Sequence, residues 1–164
     1  MTTISLKDAG SYLGARLPVE MREAAHRGLV SAAHRGVQVV VAEIIPACVP
    51  QPVDRGVYRA GWKARSTPEG AVVDNLEPHA AMVEHGVRAA TVKVGRKLIA
   101  ALAEWASRHG FQEPERAAWA IARKMQERGL WGERGLGVKA KLDARLRGGI
   151  VREEVEREVG QMRL

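Results

Sequence analysis

Residues 57–76 read VYRAGWKARSTPEGAVVDNL. From Tyr58 to Ala64, apolar or small side chains alternate with polar ones or glycine, which is the period of a half-buried β-strand. Residues 66–70, STPEG, are typical of a turn, and residues 71–73 resume an extended apolar run. The segment therefore predicts a β-hairpin and a small antiparallel sheet around residues 57–76.

A long helix is predicted before the hairpin. Pro18 suits the first position of a helix, and from Met21 apolar and small residues recur every three or four positions until Pro46 stops the pattern. At about 1.5 Å per residue, a single helix from Pro18 to Ile45 is roughly 42 Å long. Because that length exceeds the core of a small domain, we expect part of this helix to contact something outside its own subunit.

Helices are also predicted after the hairpin, and two of them are bracketed by a proline at the start and a glycine past the end. They are a short turn between Pro78 and Gly86, a helix whose apolar stripe runs from Leu98 to Ala106, a helix between Pro114 and Gly129, a short basic helix, and a last helix after Gly148-Gly149. Residues 129–137 contain four glycines and are predicted to be a loop.

These elements predict an α+β fold, with a long N-terminal helix, a small antiparallel β-sheet and C-terminal helices packed on one side of it. A length of 164 residues fits one domain, 1–164. Within it we distinguish a helical N-terminal arm (1–48), a β-hairpin region (49–90) and a helical region (91–164). The S-x-x-D pattern at Ser5 predicts a further short helix near Leu6.

Charge is concentrated in one part of the chain. There are 26 Lys and Arg and 19 Asp and Glu, a net charge of +7, and residues 91–150 alone hold 13 cations and 6 anions, which gives 13 − 6 = +7. Such a surplus can mark a nucleic-acid surface or a site for an acidic protein, or it can be a solvated arginine-rich face. These alternatives stay open at this point.

Several classes of protein are disfavoured. A single cysteine, Cys48, excludes a disulfide framework and a multi-cysteine metal site. No apolar run reaches the ~20 residues that span a bilayer, and the N-terminus lacks the pattern of a secretion signal, so we expect a soluble intracellular protein with no membrane contact. The histidines and glutamate at His79, Glu84 and His85 lack the spacing of a zinc motif. No nucleophile or phosphate-loop motif is present, so we predict no catalytic site, no metal and no cofactor.

The tryptophans and the C-terminal valines point to packing surfaces. Trp62, Trp105 and Trp119 lie on periodic elements and are predicted to pack in or near the core. Trp131 lies in the glycine-rich loop, where it either anchors a partner or folds back on its own helices. Together, the long helix and the last helix carry more apolar surface than a monomer readily covers. The candidate interface comprises Leu130, Trp131, Arg134, Leu136, Val151, Val155 and Val159.

Residues 52–62, PVDRGVYRAGW, resemble the P-V-D-T-G-x-L-R-x-S-W segment of small tailed-bacteriophage neck and tail-completion proteins, also called head–tail joining or minor tail proteins. Three further segments follow in the family's order. They are Asp74-Asn75 with 78–86 (V-x-N-x-x-x-Y-A-x-x-V-E-x-G), 98–105 (L-x-x-W) and 118–130 (A-x-x-I-A-R-K-I-x-x-R-G-[IL]). The resemblance covers residues 52–130. Arg55 replaces the family's usual Thr, His79 its usual Tyr, and the Pro-Phe that follows its R-G segment is missing.

The resemblance implies a structural virion protein that completes the tail, or joins it to the head connector, as a homo-oligomeric ring at the neck. Implied partners are copies of itself, connector, tail-tube or tail-terminator proteins, and DNA passing through the channel. The protein would be assembled in the host bacterial cytoplasm and found in the virion. The alternative is a basic nucleic-acid-binding module that uses residues 91–150.

The residues that match the family motifs are implied to have structural roles, without catalysis. Asp54 and Gly56 fit a turn that leads into the strand, because Asp bonds to nearby backbone amides and Gly permits a positive φ. The matching residues are Pro52, Asp54, Gly56, Arg59, Trp62, Asn75, Glu84, Gly86, Trp105, Arg123 and Gly129.

Overall fold

The computed structural model describes residues 2–5, 19–48, 56–130 and 135–161. It is mostly helical with a small antiparallel sheet and a long N-terminal helix, which confirms the predicted α+β class. The chain forms two compact units: unit 1 comprises Met1–Pro78 with Val138–Leu164, and unit 2 comprises His79–Gly137. Unit 2 is thus inserted between the two parts of unit 1, an arrangement that differs from the predicted single domain of three consecutive segments.

Both units contain several helices, and the strands that the structure describes all lie in unit 1. Unit 1 contains β1 (Thr2–Ser5), α1 (Val19–Val39, continued by a π-helical turn, Val40–Ile44), α2 (Val57–Ala60), β2 (Trp62–Thr67), β3 (Gly70–Asn75), α6 (Val138–Arg145, continued by a π-helical segment, Leu146–Ile150) and α7 (Val151–Gly160). Unit 2 contains α3 (Ala80–His85), a 3-10 turn (Ala89–Thr91), α4 (Arg96–Arg108) and α5 (Pro114–Arg128). None of the described helices has the length and apolar character needed to cross a membrane.

The sheet has the strand order β1-β3-β2, and β3 is antiparallel to both neighbours. Trp62 lies opposite Asn75 and Thr67 opposite Gly70, so only two residues connect β2 to β3. The predicted hairpin is confirmed, with a tighter connection than the five-residue turn signal indicated. Strand β1 was not predicted, and the predicted helix near Leu6 lies outside the described residues.

The predicted strand begins too early in the sequence. Residues 57–60 form the helical turn α2, in which the amides of Ala60 and Gly61 each donate to a backbone oxygen four residues earlier, at 2.8 Å. Tyr58 and Trp62 pack edge to face, with ring centroids 6.0 Å apart. Their separation of four residues fits one turn of helix as well as strand alternation, and this explains why the period was misleading.

Helix α1 forms the centre of unit 1. It packs against β2 and β3 and also against α7, and its buried residues, from Ala24 to Ile44, extend along its length. Leu142 and Leu146 reach Gly36 of α1, where an added Cβ would lie 3.3 and 3.2 Å from their methyl groups. Elements of the same unit therefore contact α1 along its length, so this length gives no reason to expect an outside partner. The predicted start of α1, Pro18, lies outside the described residues.

The C-terminal valines belong to the core of unit 1, and their assignment to the candidate interface was wrong. Val151, Val155 and Val159 are between 0 and 5% exposed. At Gly28 of α1 an added Cβ would lie 2.7 Å from Cα of Val155, so the backbones of α1 and α7 approach closely. The apolar stripe was correctly recognised, but its partner is α1 of the same chain.

An ionic cluster borders the α1–α7 contact. The buried carboxylate of Glu154 accepts hydrogen bonds from Ser31 at 2.8 Å and from Arg35 at 3.2 Å, and it pairs with Arg157 at 2.5 Å. Arg35 also donates to Glu153 at 2.7 Å. Its hydrogen bonds to Glu153 and then to Glu154 raise the pKa of the Arg35 guanidinium above its usual value. The cluster compensates the burial of one carboxylate, which is costly without partners.

Candidate assembly surface

The motif residues of unit 1 hold the start of the hairpin in place. The side-chain amide of the buried Asn75 donates to the carbonyl of Tyr58 at 2.7 Å, and its oxygen accepts from the amide of Glu77 at 3.1 Å. Gly61 packs on this amide, since a Cβ there would lie 2.5 Å from Oδ1 of Asn75. Trp62, the residue after Gly61, is also buried. These contacts connect the end of β3 to the turn α2.

Three other motif residues of unit 1 have different outcomes. Gly56 adopts a φ of +75° before α2, so the predicted positive φ is confirmed, although it opens a helical turn and not a strand. The side chain of Arg59 is exposed. Pro52 and Asp54 lie outside the described residues, and their predicted roles stay predictions.

The motif residues of unit 2 mainly terminate helices. Gly86 ends α3 with a φ of +73°, and Gly129 ends α5 with the same value. An added Cβ at Gly129 would lie 2.1 Å from the carbonyl oxygen of Val87, and next to it Leu130 exchanges two backbone hydrogen bonds with Val87, at 2.9 and 3.0 Å. The two glycines therefore allow the segments after α3 and α5 to meet.

The C-terminal end of the predicted loop interface is also held in place, in this case by hydrogen bonds to α3. The amides of Leu136 and Gly137 donate to the carbonyls of Val83 and Glu84, at 2.9 and 3.3 Å. Carbonyls in the last turn of a helix have no partner within that helix, so the loop supplies one. Leu130 and Leu136 are both partly buried, and both form backbone hydrogen bonds within their own chain. Trp131 and Arg134 lie outside the described residues.

Glu84 and Arg123 have opposite environments. Glu84 is 6% exposed in α3, whereas Arg123 is exposed on α5 and pairs with Glu127 at 3.2 Å, one turn further along the helix. Glu84 and His85 lie in the last turn of α3 and His79 directly precedes the helix, and among the residues that the structure describes no group of three or more potential ligands could hold a metal ion.

Helices α4 and α5 form a hairpin whose buried residues are all alanines. Ala106, Ala118 and Ala122 are fully buried, and the two helices pack against each other. The larger apolar residues of the two predicted stripes are only partly buried: Leu98, Ile99, Leu102, Trp105, Ile121 and Met125. The helices and their stripes are as predicted, but the stripes are incompletely covered. We call these six partly exposed residues the apolar face.

Trp105 lies at one end of the apolar face. Its ring stacks on His109 with centroids 4.2 Å apart, and Phe111 lies 5.8 Å away at a tilt of 43°. Phe111 is itself 46% exposed. An aromatic group therefore continues the apolar surface beyond the end of α4, and Trp105 is near the core without being buried in it.

Trp119 is 60% exposed, so the prediction that it packs in or near the core was wrong. Successive residues of a helix point about 100° apart, and Ala118, the preceding residue, occupies the buried direction. Sequence reasoning missed this exposed tryptophan because it took a position on a periodic helix as sufficient for burial, without asking on which side of the helix the residue lies. The signal was available, since the stripe of α5 passes through 118, 121, 122 and 125 and leaves 119 outside it.

The region of the basic surplus overlaps a segment of 19 residues without any acidic residue. Residues 85–103 contain no Asp or Glu, and their four Lys and Arg side chains are all exposed: Arg88, Lys93, Arg96 and Lys97. Two of these lie in the first turn of α4, where positive charge opposes the helix dipole. Local stability therefore gives no reason for cations at this position.

In comparisons with known proteins, no protein-family model, curated protein or solved structure matches the chain.

Proposed function

We propose that the chain is a structural subunit of a tailed-bacteriophage or prophage neck, which completes the tail or joins it to the head connector as a homo-oligomeric ring. The resemblance of residues 52–130 to neck and tail-completion proteins is the starting point. The motif residues have structural roles: three glycines adopt a positive φ (Gly56, Gly86 and Gly129), and Asn75 forms a hydrogen bond to a turn. Such roles suit a protein that acts through its surfaces.

The observation that carries the proposal is the apolar face on the α4–α5 hairpin. An alanine contact between two helices lets their backbones approach but buries little apolar area. The face thus keeps leucine, isoleucine, methionine and tryptophan side chains in partial contact with water. In the proposed ring this face packs on a neighbouring subunit or ring, and removal of apolar area from water stabilises the contact by about 25 cal/mol per Å².

The direct test is the composition of particles. Tailed particles are induced from the producing bacterium and purified, and the chain is quantified by mass spectrometry against the tail-tube protein. We expect several copies per particle and a ring of density at the neck by cryo-electron microscopy. Particles that lack the chain would overturn the proposal.

A matched pair of variants tests the surface. Leu102→Glu places a charge in the apolar face, whereas Ala100→Glu places the same charge on an exposed position of the same helix, about 200° around from Leu102. We expect both proteins to fold with native circular dichroism, and only Leu102→Glu to lose head–tail joining in a complementation assay. Equal infectious titres for both variants would remove the apolar face from the assembly contact.

A second function, nucleic-acid binding, is favoured by the acid-free segment 85–103. Neutralised phosphates release counterions, so binding through these side chains would weaken steeply as salt rises. Under this alternative Arg96→Gln with Lys97→Gln reduces the slope of log affinity against log salt by about 2 for duplex DNA. Binding that is undetectable at 50 mM salt would exclude the alternative.

A further inference from the structure

The outer side of α5 presents three exposed residues at regular spacing. Glu115, Trp119 and Arg123 are each four residues apart, so they lie in one row along the helix. Trp119, in the middle, is 60% exposed. At about 1.5 Å per residue, the carboxylate and the guanidinium are attached roughly 6 Å on either side of it. We call this row the outer row; it is separate from the apolar face.

The charges of the outer row are arranged symmetrically about Trp119 and are opposite in sign. If a second copy of α5 lies antiparallel across it, with a two-fold axis at Trp119, Glu115 of each copy meets Arg123 of the other. Two identical ion pairs then flank a contact between two indole rings. An isologous contact requires this self-complementarity, in which residue i meets j and j meets i.

The local ion pairs favour a protein over a nucleic acid as the occupant. Arg116 pairs with Glu113 at 3.1 Å and Arg123 with Glu127 at 3.2 Å, and Glu115 adds a further negative charge to this side of the helix. The three glutamates offset the charge of the two arginines that flank Trp119, so this side of the helix has no excess positive charge to attract phosphate. The existing pairs are highly exposed, with 83% of each arginine side chain in contact with solvent, so exchange of Glu127 for a partner's carboxylate costs little.

We propose that the outer row binds a second copy of the chain in an antiparallel, two-fold contact centred on Trp119. A ring repeats a head-to-tail contact, whereas this pairing closes on itself, so the inference does not rest on the proposed neck function. One helix on one helix buries less area than a standard stable interface, so the pairing is a weak and reversible one.

Charge reversal with rescue tests the proposal, with association of the full chain measured by sedimentation equilibrium in low salt. Glu115→Arg and Arg123→Glu each place like charges opposite one another twice per dimer, and we expect each to raise the dissociation constant about tenfold. The double variant restores both pairs with their direction exchanged and should return near the wild-type value. Trp119→Ala should weaken association at least as much as either single change. A wild-type chain that stays monomeric, or a double variant weaker than both single variants, overturns the proposal.

A cysteine scan gives an independent test of the axis. A residue on a two-fold axis meets its own copy, so Trp119→Cys should form a disulfide-linked dimer under mild oxidation, while Ala120→Cys, exposed and about 100° further around the helix, should not. Cys48 is buried and present in both variants. Equal cross-linking at both positions would contradict the axis. Loss of duplex-DNA binding in Arg123→Glu, in a chain that stays monomeric, would assign the outer row to nucleic acid instead.

Discussion

The two units of this chain use the same helical periodicity and reach different degrees of burial. In unit 1, α1 is covered by the sheet and by α7, and large side chains such as Leu29, Val40 and Leu142 are fully buried. In unit 2, α4 and α5 bury only alanines, and the large residues of their stripes stay partly exposed. An amphipathic pattern thus specifies which side of a helix is apolar, while the size of the facing residues decides how much of that side is covered.

The largest expected effect compares one substitution in both units. Leu29→Ala removes a fully buried side chain from unit 1, and we expect the free energy of unfolding to fall by about 3 kcal/mol. Leu102→Ala in the apolar face removes a partly exposed side chain and should cost about 1 kcal/mol. Urea denaturation of the two variants measures the difference. Equal losses would mean that the cores of the two units are alike.

Substitutions at two glycines of unit 2 distinguish the cost of backbone strain from the cost of a steric clash. Gly129 and Gly110 both have a positive φ near a helix end, +73° and +77°. An added Cβ at Gly129 meets the Val87 carbonyl, whereas at Gly110 it meets nothing within 4 Å. We expect Gly110→Ala to cost about 1 kcal/mol from strain alone, and Gly129→Ala about 2–3 kcal/mol. Thermal melts that shift by the same amount would show that the segment after α5 is not packed on Val87.

Asn75 tests the joint between β3 and α2 in unit 1. Asn75→Ala removes hydrogen bonds to the buried carbonyl of Tyr58 and to the partly buried amide of Glu77, which should cost about 2 kcal/mol. Leu76→Ala, at the neighbouring residue with 74% exposure, serves as the control and should be near neutral. A loss confined to assembly, with unchanged stability, would instead make Asn75 a contact residue.

The smallest effect concerns the surface of the α1–α7 contact. Arg35→Gln should lower the melting temperature slightly, and added salt should reduce the difference because the pairs with Glu153 and Glu154 are partly exposed. Folding raises the pKa of Arg35, so its stabilisation is fully present at every pH below the unfolded value and is lost only at strongly alkaline pH. Melts of the wild type and the variant should therefore differ by the same amount at pH 6 and pH 9.

Much of the architecture follows from local sequence signals. The bounds of α4 and α5 agree with the apolar stripes, with Pro114 at a helix start and Gly129 at its end, and the hairpin agrees with its turn residues. Strand β1 escaped prediction because four residues at a chain end are too short to reveal a period. Its pairing with β3 depends on contacts distant in sequence.

Burial and partners were harder to predict than elements. The stripe of Val151, Val155 and Val159 indicated an apolar surface correctly, but the pattern alone does not say whether the same chain or another covers it. Gly28 is visible in the sequence, but the close approach of α7 that it permits is known only once the two helices are seen packed together. Similarly, the motif residues were predicted to be structural, but the bond from Asn75 to Tyr58 depends on a helical turn that the alternation concealed.

The most direct test of the central claim measures solvent access to the apolar face before and after assembly. Hydroxyl-radical labelling followed by mass spectrometry is applied to the isolated chain and to purified particles. We predict that Trp105 and Met125 are labelled in the isolated chain and are protected several-fold in the particle, while Leu76 in unit 1 keeps its reactivity. Equal labelling of Trp105 and Met125 in both states would contradict the claim that this face is covered by assembly.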